Sequence, residues 1–152
     1  MIKILCIGKI KEKYLDDAID EYKKRINKYT KLEIIEINDE ATNNPNVTLQ
    51  KEKEKILNHI NKKDYNIILD INGKMLNSVE LSNKIDNIFT TQNSNITFII
   101  GGSCGLHEEI KQIADYSLSF SKLTFPHQLF RVLLLEQIYR SFKILNNESY
   151  HK

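Results

Sequence analysis

The stretch that decides the fold is "FIIGGSCGLHEEI", residues 98–110, in which an apolar strand runs into three glycines and then into a helical pattern. The apolar run Ile96–Ile100 is continuous rather than alternating, which indicates a strand covered on both faces. From Leu106 the apolar residues are spaced three and four apart, the period of a helix. A strand, a glycine loop and a helix in this order favour a ligand site at the strand end.

The same alternation extends through the chain in both directions. Four further apolar runs predict strands, at Ile2–Ile7, Leu32–Ile37, Tyr65–Ile71 and Tyr116–Phe120. Helical periodicity lies between them, at about 15–29, 49–60 and 81–89, and a last helix is predicted from about Pro126 to Leu145. Alternating strands and helices predict an α/β fold with a mostly parallel sheet flanked by helices. With 152 residues and 41% hydrophobic content, we expect one domain over 1–152.

The last predicted helix differs from the others because its apolar residues are distributed around the whole helical wheel. Such a helix needs cover on more than the side that faces the sheet. The cover we favour is a second copy of the chain, in an isologous homodimer. The alternative is a central helix buried within one subunit.

The overall charge is nearly balanced and by itself indicates no particular partner. The chain has 22 Lys and Arg against 20 Asp and Glu, but cations predominate from Phe120 onward, which suits an anionic partner.

The apolar run "IKILCIG" is too short for a signal peptide, and no segment reaches the length of a membrane span, so a cytoplasmic protein is expected. Neither cysteine has a C-x-x-C partner and the four histidines lack metal-ligand spacing, so no disulfide and no metal are predicted.

The glycine loop matches known phosphate-binding loops poorly. A dinucleotide fingerprint needs a glycine where Ile100 stands, and the Lys-Ser/Thr ending of a P-loop is missing. Glu108 and Glu109 occupy the presumed first helical turn, where they would repel an anion. Cys104 and His107 could form a nucleophile and base, but no third group to orient them is identifiable, so this interpretation is disfavoured.

Three other stretches, together with "GGSCGL", resemble a known family. They are "LDINGK" at 69–74, "LSFSKLTFPHQLFRVLLLEQIYR" at 118–140 and "YHK" at 150–152. The set resembles the ribosomal large-subunit pseudouridine methyltransferase H (RlmH) family of the SPOUT superfamily over the full chain. The resemblance implies a SPOUT-type α/β-knot with a C-terminal trefoil knot, and a homodimer. It also implies methyl transfer from S-adenosylmethionine to N3 of a pseudouridine in 23S rRNA of the assembled ribosome.

The resemblance also implies site residues. Carried over by position, the cofactor pocket comprises Leu69, Gly101, Gly102, Gly105, Phe120, Ser121, Lys122, Leu123, Thr124 and Phe125. The catalytic candidates are His127, Arg140, Tyr150 and His151. Arg140 is assigned to anion or phosphate stabilisation, and His151 with Tyr150 to orienting or deprotonating the target base.

Each catalytic candidate has a structural alternative: His127 could cap a helix, Arg140 could pair with Glu136, and the tail could be a frayed end. Two other functions also stay open. One is a nucleotide-dependent oxidoreductase or hydrolase that uses the same strand-end site. The other is a non-catalytic ribosome-associated binding module.

Overall fold

A computed structural model describes residues 1–92 and 95–152 and contains one five-stranded sheet. The strands are β1 (Ile2–Ile7), β2 (Leu32–Ile37), β3 (Tyr65–Met75), β4 (Ile96–Ile100) and β5 (Tyr116–Ser119). The helices are α1 (Lys13–Ile26), α2 (Pro45–Leu57), α3 (Ser78–Asn87), α4 (Glu108–Ile113) and α5 (His127–Leu145), and a π-helical turn, Ile88–Gln92, follows α3. The predicted α/β fold with a parallel sheet is confirmed.

The strand order is β2-β1-β4-β3-β5, and all four pairings are parallel. The carboxyl ends of all five strands therefore meet at one edge of the sheet. In open α/β sheets this is the edge where ligands bind. The glycine loop leaves this edge from the central strand, β4.

Helices cover both faces of the sheet. On one face, α1, α3 and α5 bury a large apolar cluster that includes Ile4, Phe98 and Leu134. On the other face, α2 and α4 bury a smaller cluster that includes Leu5, Ile56 and Ile110. Successive residues of β1 and β4 contribute to opposite clusters, which explains why these strands have continuous apolar sequences.

Strand β3 is longer than its apolar run indicates, since it continues past Ile71 to Met75. Leu118 of β5 pairs first with Leu69 and again with Lys74, so the residues between these two pairings loop out. A Cβ atom added to Gly73 would lie 2.8 Å from backbone atoms of Ser117 and Leu118. Only glycine permits this approach. The trefoil knot implied by the resemblance stays a prediction.

The wholly apolar helix α5 is covered largely by its own chain. It packs between α1 and α3 as well as on the sheet, and Leu134, Leu135 and Ile138 are fully buried. The alternative of a central helix within one subunit therefore accounts for much of the pattern. Leu129 stays 40% exposed on the first turns of α5. The homodimer remains a prediction.

The start of α3 is capped by side chains. The capping box of Asn77 and Glu80 at the start of α3 is present with both of its hydrogen bonds.

Within residues 1–92 and 95–152, no helix is long and apolar enough to cross a membrane. The same residues contain no group of three or more His, Cys, Asp or Glu that could hold a metal ion.

Candidate active site

A cavity of about 330 Å³ lies at the carboxyl edge of the sheet. Three chain segments form most of its wall: the end of the paired part of β3, the glycine loop after β4, and the loop between β5 and α5. The lining includes the predicted cofactor residues Leu69, Gly101, Gly102, Gly105, Phe120, Ser121, Leu123, Thr124 and Phe125. Lys122 is not among the lining residues and its side chain is exposed. His127, at the first turn of α5, also lines the cavity.

The glycine loop folds tightly back on itself. The Gly105 amide donates to the Gly102 carbonyl at 3.0 Å, and these two residues form an isolated bridge. A Cβ atom on Gly101 would lie 2.5 Å from the Gly105 carbonyl oxygen, and Gly105 has a φ of +78°. Gly101 and Gly105 are therefore needed to form the turn. The turn also exposes backbone groups to the cavity.

His107, the base of the disfavoured Cys104–His107 pair, caps the helix that follows the loop. His107 Nδ1 accepts a hydrogen bond from the Glu109 amide at 3.1 Å, and Glu108 and Glu109 occupy the first turn of α4. Cys104 lines the cavity, half-buried. His107 thus serves the helix, and the negative charge at the start of α4 disfavours a phosphate there.

One wall of the cavity is aromatic. The rings of Phe120 and Phe130 meet edge to face with centroids 4.8 Å apart, and Phe125 stacks near Phe130 at 5.9 Å. The loop that carries them is shaped by Ser121, whose hydroxyl accepts from the Leu123 amide at 3.0 Å. This wall can hold a planar apolar group.

An ion pair lies elsewhere in the same cavity. Lys111 Nζ is 3.0 Å from Asp70 Oδ2, and the Asn72 amide donates to Asp70 Oδ1 at 3.1 Å. Partial burial raises the pKa of the Asp70 carboxyl, but these two hydrogen bonds outweigh it and hold the pKa below its ordinary value. Asp70 is therefore ionised at neutral pH.

A buried carboxylate lies beneath the glycine loop. Glu52 is only 3% exposed, and one of its oxygens accepts from the Glu40 amide at 3.2 Å. Its other oxygen has no hydrogen-bond partner among the described residues, and a Cβ atom on Gly102 would lie 3.3–3.4 Å from the carboxylate. Burial raises the pKa of Glu52. Sequence reasoning missed this residue because the run "QKEKEK" has the pattern of a solvated helix face.

Arg131 is a second residue that sequence reasoning missed. It is 1% exposed, and its guanidinium donates to Glu36 at 2.8 Å and to the Gly8 carbonyl at 3.0 Å. These contacts hold the N-terminal part of α5 against the carboxyl ends of β1 and β2. His127 lies next to this junction, with its Nε2 atom 3.8 Å from the Cβ position of Gly8. The only sequence signal was an arginine within an otherwise apolar stretch of helix.

The remaining catalytic candidates are Arg140, Tyr150 and His151. They form a separate group with Glu136, here called the tail cluster. Arg140 Nε donates to Glu136 at 3.0 Å, as the structural alternative expected, and the Tyr150 hydroxyl donates to the same carboxylate at 3.1 Å. Arg140 Nη1 lies 3.2 Å from His151 Nδ1. Tyr150 is half-buried, so the chain end is not frayed at this residue.

Burial, with a smaller contribution from Glu136, raises the pKa of Tyr150 to about 12. Its phenol therefore stays protonated and acts as a donor. Because a guanidinium has only donors, His151 Nδ1 accepts from Arg140, and a neutral His151 carries its proton on Nε2.

The tail cluster does not lie at the cavity of its own chain. Arg140 follows His127 by thirteen residues of α5, which corresponds to about 20 Å along the helix axis. None of Arg140, Tyr150 and His151 lines the cavity. The structure thus brings Arg140, Tyr150 and His151 together. It leaves His127, the fourth catalytic candidate, at the cavity with the predicted cofactor residues.

Known proteins resemble the chain over its full length. The family described as "Predicted SPOUT methyltransferase" matches residues 1–151. The protein is 55% identical to "Putative ribosomal RNA large subunit methyltransferase H" of Methanococcus maripaludis, and 55% identical to "Ribosomal RNA large subunit methyltransferase H" of Clostridium botulinum strain Alaska E43. Each alignment covers 99% of both chains.

Solved structures share the fold at low sequence identity. A probable methylase family protein from Haemophilus influenzae has a TM-score of 0.56 at 13% identity, covering 99% of this chain and 70% of that one. Ribosomal RNA small subunit methyltransferase E from Neisseria gonorrhoeae, crystallised with S-adenosyl methionine, has a TM-score of 0.51 at 13% identity, covering 95% and 66%. The family match and the full-length relatives together show that the chain belongs to the SPOUT methyltransferase family.

Proposed function

We propose that the protein transfers a methyl group from S-adenosylmethionine to N3 of a pseudouridine in 23S rRNA, acting as a homodimer on the assembled ribosome. The observation that carries the proposal is the 55% identity, over 99% of both chains, to relatives named ribosomal RNA large subunit methyltransferase H. The cavity at the carboxyl edge of the sheet supports it because its walls suit such a cofactor.

The cavity fits a ligand that has a flat apolar end and no phosphate. Its volume of about 330 Å³ falls within the range of small-molecule sites. Three phenylalanines would enclose the adenine, and the backbone of the glycine loop can approach closely enough to form hydrogen bonds. When bound, S-adenosylmethionine would supply a methyl group activated by attachment to a sulfonium.

The reaction requires that N3 of the target base lose its proton, which leaves negative charge on N3 and on the neighbouring carbonyl oxygens. Arg140 can compensate that charge with its guanidinium. In the observed arrangement Arg140 also occupies His151 Nδ1. If Arg140 turns toward a carbonyl oxygen of the base, it releases the Nδ1 lone pair, which can then take the N3 proton.

Tyr150 serves a different role in this proposal. Its raised pKa keeps it neutral, so it is a poor base at physiological pH. Its hydrogen bond to Glu136 and its edge-to-face contact with Tyr139, at 5.0 Å between centroids, hold the chain end against α5. Tyr150 therefore positions His151 and Arg140.

The separation of the tail cluster from the cavity supports the homodimer. Within one chain the tail cluster lies about 20 Å along α5 from the cavity, too far to act on a methyl group held there. A second copy can bring the tail cluster of one subunit to the cavity of its partner, and twofold symmetry then completes both sites. Leu123, 71% exposed, and Leu129, 40% exposed, provide apolar surface near the cavity for such an interface.

The direct test is methyl transfer to ribosomes that lack the modification. The protein and S-adenosylmethionine are incubated with assembled ribosomes or with separated subunits, and methylated pseudouridine is mapped by mass spectrometry. We expect one N3-methylated pseudouridine in 23S rRNA of assembled ribosomes. Binding to ribosomes with no transfer on any of these substrates would favour the non-catalytic module instead.

Calorimetry tests the cofactor independently of the ribosome. We expect binding of S-adenosylmethionine and no binding of NAD or ATP, because the loop lacks a phosphate site. The reverse result would overturn the cofactor assignment and favour a nucleotide-dependent enzyme.

A further inference from the structure

We infer that the ion pair of Asp70 and Lys111 is the subsite for the zwitterionic amino-acid end of the cofactor. This inference rests on the proposed function, because it concerns how the same cavity distinguishes S-adenosylmethionine from nucleosides without that end. Sequence reasoning placed only Leu69 of the "LDINGK" segment at the cavity and gave Lys111 no role.

The cavity has two chemically different sides. Phe120 and Phe130 pack against the core cluster that lies on the α5 face of the sheet. Lys111 belongs to α4, which covers the opposite face with Ile110. The glycine loop leaves the central strand between the two faces. An elongated ligand with one apolar end and one charged end would match this arrangement.

Charge is confined to one place in the lining. Among the described residues that line the cavity, only Asp70 and Lys111 have side chains with a formal charge at neutral pH, with histidine counted as neutral. Their side chains are 14% and 31% exposed, so both are partly withdrawn from water but open to a ligand. A zwitterion brought into this cavity finds compensating charge only here.

Both side chains have unused hydrogen-bonding capacity. The two Asp70 oxygens accept one hydrogen bond each, from Lys111 and from the Asn72 amide, and a carboxylate can accept about four. Lys111 has three N–H donors, of which this contact uses one. Asp70 can therefore accept from the α-ammonium of the cofactor while Lys111 donates to its α-carboxylate. The four charges would then alternate in sign.

The competing explanation is that the pair only clips the looped-out part of β3 to α4. The two explanations differ in what they predict for ligands with and without the amino-acid end. S-Adenosylhomocysteine, the reaction product, keeps this end. 5′-Methylthioadenosine has the same adenosine and sulfur but lacks the α-ammonium and the α-carboxylate.

The experiment measures the dissociation constants of both compounds by calorimetry for the full-length protein and its variants. We expect the unmodified protein to bind S-adenosylhomocysteine more tightly. Lys111→Met and Asp70→Asn should each weaken that binding about tenfold, the scale of a charge-assisted hydrogen bond, and leave methylthioadenosine binding unchanged. Lys111→Arg, which keeps the charge, should retain most of the preference.

Matched controls come from the exposed pair Lys13 and Asp17 on α1, whose side chains are 87% and 62% exposed. Lys13→Met and Asp17→Asn make the same charge changes outside the cavity lining, and neither should alter the preference. Equal losses for both compounds in Lys111→Met and Asp70→Asn would show a structural clip and overturn the inference. An unchanged preference would overturn it as well. If the unmodified protein binds neither compound, the proposed function itself fails.

Discussion

The cavity and the tail cluster lie toward opposite ends of α5 and differ in chemical composition. The described residues that line the cavity are mainly glycine, serine, aliphatic residues and phenylalanine, and with histidine counted as neutral the Asp70–Lys111 pair is their only formal charge. The tail cluster consists of a carboxylate, a guanidinium, a phenol and an imidazole, all in contact. The first region, with its mostly uncharged lining, suits binding of the cofactor. The second region suits proton transfer and charge compensation. Substitutions in the cavity should therefore lower cofactor affinity, and substitutions in the tail cluster should lower turnover.

The largest expected effect separates the two regions by removing one of them. Deletion of residues 150–152 takes away Tyr150 and His151, so turnover should fall by about a thousandfold, within the range for loss of acid–base catalysis. Cofactor affinity should stay within about twofold, because none of these residues lines the cavity of its own chain, which supplies the predicted cofactor contacts. Methylation rates on assembled ribosomes and calorimetry measure the two quantities.

Deletion of Lys152 alone is the control, since this residue is exposed. If turnover survives loss of 150–152, the catalytic assignment moves to His127 and Arg140.

The second effect tests the junction that fixes α5 beside the cavity. Arg131→Met leaves Glu36 without its buried partner and removes a donor from the Gly8 carbonyl, so the protein should lose about 3 kcal/mol of stability. Thermal unfolding should show a decrease in Tm of about 10 °C. Arg25→Met, which breaks the exposed pair with Glu21, should cost less than about 1 kcal/mol. Equal losses in the two variants would show that burial of Arg131 contributes nothing.

The third effect is confined to the cavity. Gly101→Ala places a methyl group against the Gly105 carbonyl, where the added Cβ would be only 2.5 Å away. The loop must shift, and cofactor affinity should fall about tenfold or more. Gly105→Asn should cost less, because open space surrounds this position and asparagine tolerates a positive φ. A larger loss for Gly105→Asn would contradict the observed loop geometry.

The smallest effect concerns Glu52, beneath the cavity. Its raised pKa means that the folded protein binds this proton more tightly than the unfolded chain does, so its contribution to stability falls as pH rises from the unfolded pKa through the folded pKa. Glu52→Gln should therefore stabilise the protein by about 1 kcal/mol at pH 7, or about 3 °C in Tm. The gain should vanish near pH 4, where the glutamate is protonated.

Glu54→Gln, an exposed position on the same helix, should change Tm by less than 1 °C as a surface substitution. A lower Tm for Glu52→Gln at pH 7 would show that the buried charge has a stabilising partner.

Most of the fold could be predicted from the apolar runs and helical periods, whereas most residues of the cavity wall were predicted through the family resemblance. The apolar runs and helical periods gave the element order, and parallel strands necessarily bring their carboxyl ends to one edge. The observed order β4-β3-β5 then places the segments that follow these three strands side by side. The capping box at Asn77 is a local feature of the same kind, because it depends only on residues three apart.

The sequence by itself thus determined the features that depend on local period, namely the order of strands and helices along the chain and the parallel sheet that this order implies. The tertiary structure decided those that depend on neighbours distant in the chain: the continuation of β3 past Leu118, the burial of Glu52 and Arg131, and the return of Tyr150 to Glu136. It also decided that α1 and α3 cover α5 within one chain. A local pattern shows that a side chain is charged or apolar, whereas only packing shows whether water or another segment surrounds it.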